Sequence, residues 1–81
     1  MKRYGYIIVS SFRNGEETYY SENINGDYSI EDDIRLAKIF DNIDKAAKTI
    51  EEELGDAYEI HDLEYEFVVI NRRKLEPPQA P

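Results

Sequence analysis

An Asn-Gly pair between two tyrosine-rich segments places the strongest single constraint on how this chain folds. The run from Tyr4 to Phe12 is rich in tyrosine and β-branched residues, as is typical of a strand. Asn14-Gly15 follows, and because this pair tolerates positive φ at both positions it predicts a two-residue hairpin turn. Residues 18–20 then form the returning strand, and this turn sets Ile8 opposite Ser21.

This register divides the strand residues between two faces that are both partly apolar. One face carries Tyr4, Tyr6, Ile8, Phe12 and Tyr19, and the other carries Ile7, Val9, Thr18 and Tyr20. One helix covers only one face of a small sheet, so we expect Tyr4, Tyr6 and Tyr19 to form an open, partner-binding aromatic face. Tyrosine suits an interface because it combines a large area with a polar tip. The alternative is tyrosine as core filler in a chain without tryptophan, and the sequence leaves both open.

The polar segment 22–29 contains a second Asn-Gly pair, Asn25-Gly26, and predicts a loop or a short second hairpin. Residues 21–32 also match part of an EF-hand calcium loop, with Gly26 at the sixth position. Ser21 at the first position and Asp32 at the twelfth depart from that pattern. We therefore expect a plain turn here, no metal site and no cofactor.

Apolar residues recur at helical spacing from Leu36 to Leu54 and predict the main helix. The stripe consists of Leu36, Phe40, Ile43, Ala47, Ile50 and Leu54. Ser29 would cap a helical turn that begins at Ile30, and Gly55 would end the helix. Residues 30–54 form one helix or two, and a break near Asp41-Asn42 is favoured because both residues are poor interior helix formers.

The segment 58–71 predicts the last strand. Its apolar residues change parity, since Tyr58 and Ile60 share one face whereas Leu63, Tyr65 and Phe67 share the other. This change predicts a bulge or tight turn at His61-Asp62. The continuous apolar run 67–70 is typical of a strand that is buried on both faces.

Together these elements predict an α+β fold with the order β-β-α-β. The sheet would be small, three-stranded and mostly antiparallel, with strand order 2-1-3 and one main helix packed on one face. Residues 1–74 would form this single α/β domain, and residues 75–81, with three prolines, a disordered tail. The strand ends would bring Lys2, Arg3, Arg72 and Arg73 together as a small basic end.

The net charge is −8, and the acids concentrate in the middle of the chain: residues 14–66 hold 17 acids and four bases, a net −13. Such a chain is repelled by nucleic acids and anionic membranes, which favours a basic protein partner. Glu51-Glu52-Glu53 oppose the dipole of the last helical turn at about 0.3–1 kcal/mol each. The predicted acidic binding surface comprises Glu51, Glu52, Glu53, Asp56, Glu59, Asp62, Glu64 and Glu66.

The residue types predict no enzyme. Cysteine is absent, which excludes disulfides, thiolate zinc sites and cysteine nucleophiles. The single histidine, His61, has no serine and acid at a spacing that indicates a nucleophilic triad. No apolar run approaches the roughly 18 residues of a membrane span. The absence of cysteine fits a reducing cytosol, and we expect a cytoplasmic protein.

The stretch 36–41 (Leu-Ala-Lys-Ile-Phe-Asp), followed by Ala46-Ala47, Leu54 and Tyr58-Glu59-Ile60, resembles a pattern common in small uncharacterised proteins of bacteriophages and other mobile elements. The resemblance covers about residues 30–70 and carries over no catalytic residue. It implies a hairpin–helix–strand order and a bacterial host. Short acidic phage proteins of this kind often inhibit host enzymes or defence systems such as CRISPR, and some imitate the charge of DNA.

These observations predict a small acidic binding protein that inhibits a basic, nucleic-acid-handling host protein, as an anti-CRISPR or DNA-mimic inhibitor does. The alternative is a homodimerising structural or accessory module without an inhibitory role. In that case the tyrosine face or an open sheet edge would pair with a second copy.

Overall fold

The computed structural model describes residues 2–11, 15–55 and 57–75. Its strands are β1 (Arg3–Ser11), β2 (Glu17–Glu22), β3 (Tyr28–Glu31), β4 (Tyr58–Tyr65) and β5 (Val69–Lys74). They form one antiparallel sheet in the order β3-β2-β1-β4-β5. Between β3 and β4 the chain forms a 3-10 turn (Ile34–Leu36) and the helix α1 (Ile43–Thr49), which continues as a π-helical turn (Ile50–Leu54).

The predicted three-stranded sheet of order 2-1-3 is wrong, because two segments fold back as hairpins. The segment after β2 returns as β3, and the predicted last strand is split into β4 and β5. The fold remains α+β, with β1 between β2 and β4. Leu75, the first residue of the predicted tail, still donates its N–H to Ile60 O at 2.9 Å, and residues 76–81 lie outside the described part.

The pairing of β1 with β2 is one residue away from the predicted register. Val9 lies opposite Tyr19, although a two-residue turn would place it opposite Tyr20. In the β2–β3 hairpin Gly26 has φ 87°, whereas Asn25 does not reach positive φ, so the type I′ turn that both positions would require is not formed. Gly15 likewise has φ 84°, and Asn14 of the first predicted turn lies outside the described residues.

A shift of one residue moves every side chain of a strand to the other face of the sheet. Buried side chains form one cluster on each face of the sheet. The helix-face cluster, on the side that the helix covers, consists of Ile8, Tyr20, Phe40 and Ala46, and the opposite-face cluster of Ile7, Val9, Tyr19 and Leu63. The shift in register therefore places Tyr19 in the opposite-face cluster and Tyr20 in the helix-face cluster. The helix packs on the second cluster through Ala46, Ile50 and Leu54, whereas Ala47 of the predicted stripe is exposed.

The connector between β3 and the helix reaches both faces of the sheet. Its residues Ile34 and Ala37 pack on the opposite-face cluster, whereas Phe40 is buried on the helix face. Lys38 N–H donates to Tyr20 O of β2 at 2.9 Å. Phe40 exchanges two backbone hydrogen bonds, of 2.7 and 2.9 Å, with Tyr6 of β1. The connector therefore passes between β1 and β2 from one face to the other.

The helix begins directly after Asp41-Asn42, where the break was predicted, but the predicted helical segment before it is wrong, since residues 28–31 belong to β3 and residues 34–36 form only a 3-10 turn. Asn42 is the N-cap, and its Oδ1 accepts the N–H of Asp44 at 2.7 Å. Ser29 does not cap a helix, because it lies in β3. The 3-10 turn is capped by Asp33, whose carboxylate accepts the N–H of Arg35 at 2.9 Å.

The predicted bulge at His61-Asp62 is also wrong. The β1–β4 pairing is regular from Arg3 opposite Tyr65 to Ser10 opposite Tyr58, and the register shift lies between Glu64 and Tyr65 in the β4–β5 pairing. The apolar residues of β4 change parity because one face of the strand is buried at its start and the other face is buried further along. Tyr58 and Ile60 pack under the helix, whereas Leu63 and Tyr65 belong to the other face.

The apolar run 67–70, predicted to be a doubly buried strand, includes the turn between β4 and β5. Phe67 is 97% exposed and Val68 is 64% exposed. Only Val69 packs on the opposite-face cluster. An apolar run of four residues therefore does not distinguish a buried strand from an exposed hairpin turn.

Candidate functional site

The structure distributes the predicted acidic surface over different parts of the fold. Glu51, Glu52 and Glu53 are exposed on the π-helical turn. On β4, Glu59 lies on the opposite face, while Asp62 and Glu64 lie on the helix face; Glu66 lies in the β4–β5 turn, and Asp56 is outside the described residues. Since Glu59 and Asp62 leave the strand on opposite sides, the eight acids do not share one face.

The acids of β4 are paired with cations. Asp62 contacts Arg73 at 2.7 Å, and Glu64 contacts Lys2 at 3.8 Å. Glu59 contacts Lys74 at 3.0 Å, and this ammonium lowers the pKa of the Glu59 carboxyl. These pairs compensate the charge of β4 locally.

The predicted basic end is not formed, because Arg72 and Arg73 lie on opposite faces of β5. Arg73 is opposite Asp62 in the β4–β5 pairing, whereas Arg72 is opposite Leu63. Arg72 extends across the opposite face to Glu17 of β2, with Nη2 2.7 Å from Oε1. Because β4 and β1 lie between β5 and β2, this ion pair covers the cluster beneath it.

His61 is buried beside this ion pair. It is 7% exposed. Its Nε2 lies 3.6 Å from Glu59 Oε2, beyond hydrogen-bond distance, and neither ring nitrogen has a hydrogen-bond partner within the described part of the chain. Burial lowers the pKa of His61 below 6.5, and the Arg72 guanidinium lowers it further, against the carboxylates of Glu59 and Glu17. The ring is therefore neutral near pH 7, with Lys74 opposite it on β5.

His61→Leu is expected to raise the free energy of unfolding at pH 7 by about 1 kcal/mol, because it removes buried nitrogens that make no hydrogen bond. It should also remove a pH dependence. The unfolded chain binds a proton at His61 near its ordinary pKa, whereas the folded chain binds it only at lower pH. Wild-type stability therefore falls as the pH drops below about 6.5. Urea unfolding between about pH 5 and pH 7 measures both effects.

His61→Gln is the control, because it stays polar but does not titrate. We expect it to lose the pH dependence in this range without the gain in stability. A His61→Leu variant with the wild-type pH dependence would contradict the assignment of the titration to this side chain.

Two of the predicted tyrosines meet two of the predicted acids in an open groove of about 640 Å³. The groove lies on the helix face near the start of the helix, and its walls include Tyr4, Tyr6, Asp41, Asp62, Glu64 and Arg73. Tyr19 is not part of it. That ring lies on the other face, 8% exposed, and its hydroxyl donates to Glu17 at 3.2 Å.

The acids that line this groove are charge-compensated. Asp62 and Glu64 pair with Arg73 and Lys2, and Asp41 accepts from Lys45 Nζ at 3.3 Å. The groove is therefore polar and aromatic without a strong net charge.

An aromatic column that the sequence analysis did not identify lies on the same face. Tyr20 stacks on Tyr28 with ring centroids 5.8 Å apart and on Phe40 with centroids 5.9 Å apart. Lys38 Nζ lies 5.4 Å from the centroid of Phe40. Tyr20 and Phe40 are buried, but Tyr28 is 51% exposed on the edge strand β3.

Carboxylates adjoin this column. Glu22 Oε2 accepts the Tyr20 hydroxyl at 3.0 Å and lies 3.4 Å from Lys38 Nζ. Burial raises the pKa of the Tyr20 hydroxyl, and the carboxylates of Glu22 and Glu53 raise it further, so Glu53 also lies close to this hydroxyl. The helix-end site is defined here as Glu51, Glu52 and Glu53 together with Glu22, Tyr20 and Tyr28.

Part of the helix-end site has a signal in the sequence. The second Asn-Gly pair predicts a loop or a short hairpin, and a hairpin is formed. A two-residue turn would set Glu22 opposite Ser29, whereas Glu22 lies opposite Tyr28, so the register that places these two side chains on one face has no signal in the sequence. The approach of Glu53 to Tyr20 has no signal either, because it depends on how the helix crosses the sheet.

The segment 21–32 is a β-hairpin and not an EF-hand loop. Asn23 Oδ1 accepts the N–H groups of Asn25 and Asp27 at 2.9 and 3.1 Å, which holds the turn. Within residues 2–11, 15–55 and 57–75, no three His, Cys, Asp or Glu side chains are grouped so that they could hold a metal ion. The helices in these ranges also lack the length and apolar composition needed to cross a membrane.

Comparisons of the chain with protein-family models, with curated proteins and with solved structures gave no match.

Proposed function

We propose that this protein is a non-catalytic binding protein that blocks a basic, nucleic-acid-handling protein in the cytoplasm of a bacterial host. The helix-end site carries the proposal, because Glu51, Glu52 and Glu53 expose three consecutive carboxylates on one turn. Among the described ion pairs, one reaches this triplet, between Lys48 and Glu52 at 3.9 Å. The negative charge of the turn is therefore largely available to a partner.

The position of these acids supports a binding role. Carboxylates at the C-terminal end of a helix oppose its dipole and cost about 0.3–1 kcal/mol each at low ionic strength. Local rules of this kind are broken most often at functional sites. In a complex, the carboxylates would occupy the positions of nucleic-acid phosphates, and cations of the partner would compensate both the charge and the dipole.

The test neutralises the acidic turn without changing its size. In the triple variant Glu51→Gln, Glu52→Gln and Glu53→Gln, the affinity for the partner should fall about tenfold at low salt, as expected for three interface charges of about 0.5 kcal/mol each. The wild type and the variant are each immobilised and exposed to a nuclease-treated bacterial lysate. The protein that the wild type retains is then purified, and its affinity for both is measured between about 50 and 300 mM salt. The retained protein should be basic and should be displaced by duplex DNA.

The matched control neutralises three acids of the groove: Asp41→Asn, Asp62→Asn and Glu64→Gln. This variant has the same change in net charge. Asp41 precedes the helix, about 16 Å along its axis from Glu52, and Asp62 and Glu64 line the same groove from β4. We expect it to bind as the wild type does. A loss of affinity in the control rather than in the helix-end variant would overturn the assignment of the site. A retained protein that neither duplex DNA nor salt displaces would overturn the proposal.

The homodimerising module remains a rival that the same preparation tests. The sheet has two edge strands, β3 and β5, and Phe67 is exposed in the turn that leads into β5. A concentration-independent dimer in light scattering, with no protein retained from the lysate, would favour the rival over the proposed inhibitor.

A further inference from the structure

One end of the aromatic column is already occupied by a cation of the chain itself. Lys38 Nζ lies 5.4 Å from the centroid of Phe40, within the distance of about 6 Å at which a ring face attracts a cation. The same ammonium lies 3.4 Å from Glu22. The column therefore holds this lysine by a ring and a carboxylate together.

The other end of the column is an exposed ring that the same carboxylate adjoins. Tyr28 ends the stack at 51% exposure, on a strand that forms the edge of the sheet. Glu22 lies directly opposite Tyr28 in the β2–β3 pairing. Residues that face each other in this way have Cβ atoms about 5 Å apart on one face, so the Glu22 carboxylate and the Tyr28 ring are neighbours. Glu22 Oε2 contacts the Tyr20 hydroxyl and Lys38, whereas none of the described contacts involves Oε1, which can accept a further donor beside the exposed ring.

The geometry favours a guanidinium over an ammonium. A guanidinium is planar, stacks on an aromatic face and donates in a fork that matches a carboxylate. Tyr28 offers the face and Glu22 Oε1 an acceptor beside it, while Glu53 adds negative charge near the hydroxyl of Tyr20. An ammonium is more strongly hydrated and does not stack, so it gains less from the same surface.

We propose that the exposed end of the column, Tyr28 with Glu22, recognises an arginine side chain of the basic partner by stacking and ion pairing. This proposal rests on the proposed function and names the side chain that the helix-end site recognises. The exposed acids of the helix attract the basic surface, and the column selects arginine within it.

The test compares two peptides of equal charge, capped hexa-arginine and capped hexa-lysine, with the full chain in calorimetric titrations at one ionic strength. We expect the wild type to bind hexa-arginine about two- to fivefold more tightly, the size of a cation–π contact at an exposed site. Tyr28→Leu should abolish this preference. Tyr28→Phe, which retains the ring, should keep it and shows that a substitution at this position permits folding.

The matched control is Tyr4→Leu. Tyr4 is an exposed tyrosine of the groove, at 71% exposure, and lies outside the column. We expect this variant to keep the preference for arginine. Equal binding of the two peptides by the wild type would overturn the proposal. So would a preference that survives Tyr28→Leu or disappears in Tyr4→Leu.

These outcomes are separate from those of the proposed function. In one outcome, the glutamine triple variant no longer binds the partner while Tyr28→Leu still prefers hexa-arginine. This result supports the proposed inhibitor and overturns the arginine site. In the other outcome, no basic partner is retained from the lysate but Tyr28→Leu abolishes the preference for hexa-arginine. This result supports the arginine site and overturns the proposed inhibitor.

Discussion

Phe40→Ala is expected to lower the free energy of unfolding by about 3–5 kcal/mol, the usual effect of removing a buried phenylalanine. Phe40 is 5% exposed and lies in the helix-face cluster with Ile8 and Ala46. Its ring also supports Tyr20 and contacts Lys38. Because proteins unfold with only about 5–15 kcal/mol, the variant should lose a large part of its stability at 25 °C.

Urea unfolding followed by circular dichroism measures this effect, and Phe67→Ala is the matched control. Phe67 is 97% exposed, so its truncation should change the free energy of unfolding by no more than about 0.5 kcal/mol. Equal losses in the two variants would contradict the structure, since they would place residues 67–70 in the core, as their apolar run suggests.

Gly5→Ala is expected to lower the free energy of unfolding by about 1–3 kcal/mol, the usual cost of overpacking a tightly filled site. Gly5 is buried in β1 beside the connector. A Cβ atom at this position would overlap Cγ2 of Ile39 and would lie 3.1 Å from Phe40 O. The Phe40 backbone cannot move away freely, because it is hydrogen-bonded to Tyr6.

Ile39→Ala provides the test of this mechanism, because it removes Cγ2 from a side chain that is 40% exposed. In the Ile39→Ala background, Gly5→Ala should cost about 1 kcal/mol less than in the wild type, and a double-mutant cycle in urea measures the difference. If the two substitutions were additive, the contact between Gly5 and the connector would not be the cause of the loss.

The elements near the turns and caps were the most predictable part of the fold. The strands around residues 4–9 and 18–20, the break before Ile43 and the helix end at Gly55 follow from signals within a few residues. The number of strands was not predictable in this way. It depends on whether segments 22–31 and 58–74 fold back, and on the hairpin loops that set the register.

The sequence predicted the charge of the candidate site but not which of its acids are paired with cations. The sequence placed Glu51, Glu52 and Glu53 in the last turn of the helix, where the structure has them exposed. It also grouped them with Glu59, Asp62 and Glu64, which the structure pairs with Lys74, Arg73 and Lys2. These cations come from β5 and from the residue that precedes β1, so their approach depends on a strand pairing that the sequence did not predict.

The positions of the aromatic residues also depend on a strand register that the sequence did not predict. Tyr4 and Tyr6 do line one groove, but Tyr19 was assigned to their face through a register that is wrong by one residue. The same shift places Tyr20 on the helix face, where it can stack on Tyr28 and Phe40.

The amino-acid sequence by itself determined the first strand, the helix that ends at Gly55 and the concentration of acids at the helix end, because these depend on neighbours within one or two turns of chain. The tertiary structure decided which face each strand residue occupies, which acids are compensated by cations and which tyrosine is left exposed. The physical reason is that these properties depend on segments that meet across the sheet. A single extra loop residue, or a connector that passes between β1 and β2, changes them without changing any local preference.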